Sequence, residues 1–163
     1  MELFDLGKAL RAQLFGSRED FEVFPLFKDN PALLGRLVSK LTYCVRDAPP
    51  RYMAVDLSSS ANDDTFRIAV YTDDHLFHLV YDPPVDQIIT SIVDRASIRR
   101  IDVLSAPNFM DGATPGSYTG GVDLAVFYED LTVRLPGDNR ATDRNREMLD
   151  QFLVSLLRDL AHK

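Results

Sequence analysis

The sequence predicts an α+β fold: an antiparallel, barrel-like sheet of about seven strands followed by a C-terminal helix. Two β-rich runs, residues 66–71 and 76–81, flank a polar turn and read as a hairpin. A second pair of alternating runs, residues 122–128 and 131–135, flanks Glu129-Asp130. Residues 142–161 then repeat apolar side chains at helical spacing. Together these patterns predict the sheet and the helix that closes it.

The length and composition fit one domain over residues 1–163. A chain of 163 residues lies near the usual size of a single domain. With 45% hydrophobic and 26% charged residues, the chain can form a packed core. We divide the domain into an N-terminal helical extension, residues 1–50, and the sheet with its C-terminal helix, residues 51–161.

The charge and hydropathy patterns narrow the partners we expect. A net charge of −7 disfavours nucleic acid as a partner, because such binding draws on clustered Lys and Arg. No apolar run approaches the ~20 residues that cross a bilayer, so we expect no stable membrane insertion. The charged residues within 1–15 and the single cysteine favour a cytoplasmic location.

The first fifty residues predict two helices with a connection between them. Leucines at helical spacing predict an amphipathic helix over residues 2–15, either laid on its own domain or docked on a partner. Residues 21–27 carry three phenylalanines around Pro25 and predict an edge strand or a packed connection at one end of the core. Asn30-Pro31 predicts the start of a second helix that stops before Pro49.

Residues 84–96 fit two structures. Their isoleucines match a helical apolar face, yet the β-branched run 88–93 also favours a strand, which is the interpretation we adopt. Two further strands are predicted: residues 51–57 before the central hairpin and residues 98–104 after this stretch. The Gly- and Pro-rich stretch 106–121 is predicted to be a long loop, which is typical of a functional or mobile segment.

Five residues are candidate binding residues. Arg95, Arg99 and Arg100 lie close together in the sequence and could hold an anionic group or an acidic peptide. Strand alternation places Arg99 and Arg100 on opposite faces, so a solvated surface is the favoured alternative. Phe109 and Tyr118 of the long loop complete the set.

No catalytic, cofactor or metal site is predicted. His75 and His78 are three apart on a strand and should diverge, whereas a zinc site needs three or four convergent ligands. Cys44 falls near the apolar stripe of its helix and reads as a small buried residue. The glycines of the long loop lack the Gly-Lys-Ser/Thr of a phosphate loop. We therefore expect a protein without cofactors, and we favour a binding protein over an enzyme.

The order of elements resembles the bacterial pleckstrin-homology-like superfamily. Residues 71–77, a threonine and polar turn before Leu76-Phe77, resemble the hairpin of those proteins. Residues 92–103, with Ser97-Ile98 before the next strand, resemble the segment that follows it. The resemblance covers residues 51–161 and implies a bent antiparallel barrel plugged by its last helix. The clustered Lys/Arg loop of lipid-binding members is absent near Arg51 and Arg67.

Three functions follow as expectations. The first is a non-catalytic binding or scaffolding module that takes a protein or peptide at a sheet edge or groove. The second, which requires a helix over residues 84–96, is an acidic dimeric chaperone resembling the bacterial secretion chaperones. The third is a small enzyme or ligand-binding protein with a pocket under loop 106–121. A homodimer is compatible with the first two.

Overall fold

The computed structural model describes residues 2–59, 64–106 and 121–162. Phe109 and Tyr118 lie outside these ranges. The described residues form four α-helices: α1 (Leu3–Ser17), α2 (Pro25–Asp29), α3 (Pro31–Val45) and α4 (Asp143–Ala161). They also form seven strands: β1 (Tyr52–Ser59), β2 (Asp64–Tyr71), β3 (His75–Asp82), β4 (Gln87–Asp94), β5 (Arg100–Ser105), β6 (Asp123–Phe127) and β7 (Thr132–Leu135).

The strands form two antiparallel sheets instead of one continuous barrel-like sheet. The first sheet has the order β1-β2-β3-β4 and the second the order β5-β6-β7, with no closed barrel among the described residues. A 3-10 turn, Arg95–Ser97, follows β4 and redirects the chain. Because of this turn β5 pairs with β6 and not with β4. The expected α+β class is confirmed, and the single sheet is corrected to two.

Residues 87–94 form a strand, as the β-branched run predicts. β4 pairs with β3 in unbroken register from His75↔Asp94 to Asp82↔Gln87. The chaperone-like order of elements required a helix over this stretch, and that order is not the one observed.

The edge strand predicted over residues 21–27 is wrong, and the packed connection is correct. Phe21–Val23 is a 3-10 turn, and Pro25 stands at the first position of α2. Proline suits this position because its fixed φ fits a helix and its missing donor costs nothing there. The three aromatic rings of the segment are buried and pack on one another: Phe21, Phe24 and Phe27.

The first sheet is covered on both faces. One face packs against α1, α2 and α3 around residues such as Leu37, Val55 and Ile68. The opposite face packs against the second sheet and α4 around Tyr52 and Phe152. The N-terminal helices therefore bury most of this face, which strand alternation makes apolar, while Ile92 of the edge strand β4 stays exposed on it.

Helix α4 is tied to β1 by a buried polar contact. Thr142 caps the helix by accepting a hydrogen bond from the Asn145 amide at 3.2 Å. The Asn145 side chain accepts from the Tyr52 hydroxyl and donates to the Met53 carbonyl, both at 2.7 Å. These bonds fix the rotation of α4 on the sheet.

The end of α1 meets the start of α4. Arg18 forms an antiparallel bridge with Ala141, and the Thr142 hydroxyl donates to the Gly16 carbonyl at 2.6 Å. The buried Arg18 guanidinium also binds the Asp138 carboxylate at 2.9 Å. Two segments more than a hundred residues apart in sequence thus share one bonded junction.

Candidate functional site

Arg95, which the sequence predicts as a binding residue, is buried and hydrogen-bonded within the protein. Its side chain is buried, and it donates to Asp159 at 2.9 Å, to Ser155 at 2.8 Å and to the Thr72 carbonyl at 2.6 Å. Its guanidinium lies 5.1 Å from the centre of the Phe152 ring. Through these bonds Arg95 joins α4 to the turn between β2 and β3.

Arg99 and Arg100 lie at the surface but form no common basic face with Arg95. Arg99 pairs with Glu129 at 3.4 Å, and Arg100 pairs with Asp102 at 3.0 Å. The Arg100 guanidinium stacks 4.0 Å from the centre of the Phe127 ring. The neighbouring carboxylates offset the charge, which agrees with a solvated surface.

A large concave surface lies between α1 and α3, and we call it the α1–α3 groove. Its volume is about 760 Å³. From α1 it is lined by Leu3, Phe4, Gly7, Lys8 and Arg11. From α3 it is lined by Pro31, Leu34, Gly35, Val38, Ser39, Thr42 and Tyr43. Both sets recur every three or four residues, so each is one face of its helix.

Large apolar side chains stand exposed around this groove. Phe4 is 71% exposed, Tyr43 66% and Leu3 55%. Apolar residues that contact water singly are common, but a contiguous group around a concavity is typical of an interaction site. The groove therefore offers an apolar contact surface.

Two glycines shape the groove. A Cβ at Gly7 would lie 3.3 Å from the Thr42 hydroxyl, so the missing side chain lets α1 approach α3 closely. A Cβ at Gly35 would meet no atom within 4 Å, so this position opens the α3 wall. The result is a channel with helical walls and a floor where the helices touch.

The charge around the groove is positive although the protein is acidic. Lys8 and Arg11 line it, and no acidic side chain does so among the described residues. Arg36 and Lys40 of α3 lie on another face of that helix, where Arg36 pairs with Asp86 at 2.7 Å and Lys40 donates to the Ile88 carbonyl. The ammonium of Lys8 lies 4.5 Å from the centre of the exposed Phe4 ring. The groove thus combines apolar contacts with a local field that attracts anions.

Sequence reasoning found both helices but not the groove. Leu10, Leu14, Leu37 and Leu41 pack inward, whereas Leu3 and Phe4 do not. The available signal was the width of the apolar face. Adjacent apolar pairs such as Leu3-Phe4 and Leu33-Leu34 make the apolar face of each helix broader than packing against the core requires.

The described residues show no metal cluster or activated cysteine. No group of three His, Cys, Asp or Glu side chains in that part of the chain could hold a metal ion. Partial burial raises the pKa of the Cys44 thiol, which favours its protonated form. Among helices α1 to α4, none has the length and apolar character to cross a bilayer.

Comparisons with known proteins give little similarity. No protein-family model matches the chain. No curated protein matches it either. Among solved structures, the chain is similar to the hSac2 domain from human phosphoinositide phosphatase Sac2 at 11% sequence identity. That match covers 80% of this chain and 82% of the other, with a TM-score of 0.39. At these values neither family nor function is carried over to this chain.

Proposed function

We propose that this protein is a non-catalytic binding module that holds an acidic, amphipathic helix of a partner protein in the α1–α3 groove. The observation that carries the proposal is an apolar groove with a basic lining on a protein of net charge −7. Helix-in-groove recognition uses apolar side chains at positions i, i+3 or i+4 and i+7 as anchors. Acidic residues beside those anchors complement Lys8 and Arg11.

The dimensions of the groove suit one helix. α3 has 15 residues, which corresponds to about 22 Å at the ordinary helical rise. A partner helix of roughly 12 to 15 residues would cover that length. Exposed Phe4 and Tyr43 would bury their rings against it, and buried aromatic anchors dominate the energy of many interfaces.

Charge favours an acidic partner over a second copy of this chain. In a symmetric dimer through the groove, Lys8 and Arg11 of both copies would approach one another without an acidic lining residue. Like charges brought together in this way are destabilising. An acidic helix meets no such repulsion.

The scaffold of this module is proposed to be pleckstrin-homology-like. The support is the element order itself: strands in sheets of four and three, followed by a C-terminal helix. Helices α1 to α3 would then be an addition that covers the outer face of the first sheet and supplies the groove.

The test is a peptide-display selection followed by binding measurements. We expect enriched peptides to carry net negative charge and helical apolar spacing, and to bind more weakly as salt is raised. Phe4→Ala should weaken binding at least about tenfold, in line with the loss of an aromatic anchor. Lys8→Glu with Arg11→Glu should remove the preference for acidic peptides. Fluorescence anisotropy of the labelled peptides measures each effect.

Ile92→Ala is the matched apolar control, since Ile92 is 62% exposed on β4, at the opposite edge of the first sheet from β1, on which α1 packs. It should leave peptide binding unchanged. Enrichment of basic peptides, or equal binding by the Phe4→Ala variant, would contradict the proposal. A concentration-dependent dimer that Phe4→Ala abolishes would assign the groove to a second copy. Binding to anionic vesicles but to no peptide would assign it to a membrane surface.

A further inference from the structure

Three ionisable side chains occupy the inter-sheet face of the first sheet. Alternation along β1 brings Tyr52, Ala54 and Asp56 to one face, and Tyr52 and Ala54 are buried there. Arg67 lies directly across from Asp56. His78 lies across from Ala69, which itself pairs with Ala54. On this face of the sheet, the buried residues next to the core are therefore followed by polar, ionisable ones towards the edge of the sheet packing.

These residues line a cavity between the two sheets, which we call the inter-sheet cleft. Its volume is about 250 Å³. Ala54 and Ala69 leave room at its floor, and Arg134 of β7 contributes from the second sheet. Gly137 borders it with φ +108°, and a Cβ there would lie 2.4 Å from the Val55 carbonyl oxygen. This close approach brings the chain after β7 against β1.

The cleft holds charges of both signs: the Asp56 side chain is half-buried, whereas Arg67 and Arg134 are exposed to solvent. Among the described residues, neither Asp56 nor Arg67 nor Arg134 forms an ion pair within 4 Å. The adjacent Asp138 differs, because it binds Arg18 at 2.9 Å and accepts from the Leu57 amide at 3.1 Å. Asp138 therefore has partners within the protein, whereas the neighbouring Asp56 forms no ion pair among the described residues.

The environment of Asp56 disfavours the ionised form of its carboxyl group. Burial and then the charge of Asp138 raise the pKa of Asp56, against the opposing effect of Arg67, Arg18 and Arg134. The pKa of His78 is lowered by burial and then by Arg67, so its imidazole is neutral at pH 7. A half-buried charge without a partner opposes folding, and local conflicts of this kind are concentrated at functional sites.

We propose that the inter-sheet cleft binds a small zwitterion of the amino-acid type, carrying one carboxylate and one ammonium group. Arg67 and Arg134 take the carboxylate, since guanidinium groups match its planar geometry. Asp56 takes the ammonium, and the His78 N–H donates to the ligand carboxylate. The cleft has the volume of roughly eight water molecules in the liquid, which limits the ligand to amino-acid size.

The test uses free amino acids added to the full chain and followed by backbone amide NMR shifts. We expect at least one amino acid to shift the amides of Ala54, Ala69 and His78 in a saturable manner. For that ligand, the amine without the carboxylate and the acid without the amino group should each bind at least tenfold more weakly. Shifts confined to α1 and α3 would place the ligand in the groove and overturn the proposal.

Two variants assign the ends of the ligand. Asp56→Asn should weaken binding of the amino acid at least tenfold and leave the weak binding of the acid without the amino group unchanged. Arg134→Gln should weaken binding of both ligands. Arg99→Gln, a surface arginine on the turn before β5, is the control and should change neither. Equal affinity for the acid and the amino acid would make this an anion site. No saturable shift with any amino acid at millimolar concentration would also overturn the proposal.

The same Asp56→Asn variant gives a prediction for the unliganded protein. The folded-state pKa of Asp56 is raised, so its ionisation favours the unfolded chain above the unfolded pKa of 3.8. We expect Asp56→Asn to raise the melting temperature at pH 7, with a gain that disappears as the pH falls below that value. A lower melting temperature at pH 7 would mean that Asp56 stabilises the fold through Arg67, and the cleft would then need no ligand.

Discussion

Replacing Arg95 with methionine is expected to lower the free energy of unfolding by about 3–5 kcal/mol. Arg95 is 4% exposed, and its loss would leave the Asp159 carboxylate and the Thr72 carbonyl without their donor. Removing one partner of a buried charged pair costs more than the pair contributes, since the other charge remains desolvated. Methionine keeps the packing on Phe152, so the loss reports the polar contacts. Urea denaturation measures it.

Arg99→Met is the matched control for Arg95. Its guanidinium is exposed and pairs only loosely with Glu129 at 3.4 Å. A surface pair of this kind contributes about 0–1 kcal/mol, so the unfolding free energy should hardly change. Equal losses in the two variants would show that burial of Arg95 is not what makes it important.

The second large effect is expected for Phe66→Ala, with a loss of about 3–5 kcal/mol. The Phe66 ring is 0% exposed and lies 5.5 Å from the Phe27 ring and 5.6 Å from the Tyr81 ring, measured between centroids. Truncation removes apolar burial and opens a cavity between α2 and the first sheet. Thermal and urea unfolding followed by circular dichroism provide the measurement.

Phe4→Ala makes the same substitution at an exposed ring. We expect a change within about 0.5 kcal/mol, because surface positions outside a packed core tolerate truncation. Comparable destabilisation by Phe4→Ala and Phe66→Ala would contradict the burial assigned to these two residues. The pair also separates stability from peptide binding, which only Phe4→Ala should weaken directly.

Local patterns in the sequence predicted most of the elements. The isoleucines and threonine of β4 correctly predicted a strand, because β-branched side chains pack well on the surface of a sheet. At residues 21–27 the same reasoning left an edge strand and a packed connection open. The structure has the packed connection, with Pro25 as the first residue of a short helix.

Tertiary placement could not be obtained in the same way. Arg95 reads as a surface cation until Asp159, 64 residues further on, is brought against it. The groove depends on which parts of two broad apolar faces remain uncovered after α1 meets α3. Asp56 and Arg67 were visible in the sequence, but only the pairing of β1 with β2 and the approach of β7 place them in one cleft.

The junction between residues 16–19 and 140–142 has a consequence for how the chain comes apart. Each segment supplies hydrogen bonds to the other, including Glu19 amide to Arg140 carbonyl at 3.1 Å and Thr142 amide to Ser17 carbonyl at 3.2 Å. Fraying of α1 from its C-terminal end therefore removes bonds from the start of α4, and the reverse also holds. We therefore expect the C-terminal turn of α1 and the first turn of α4 to open together, with linked hydrogen-exchange rates.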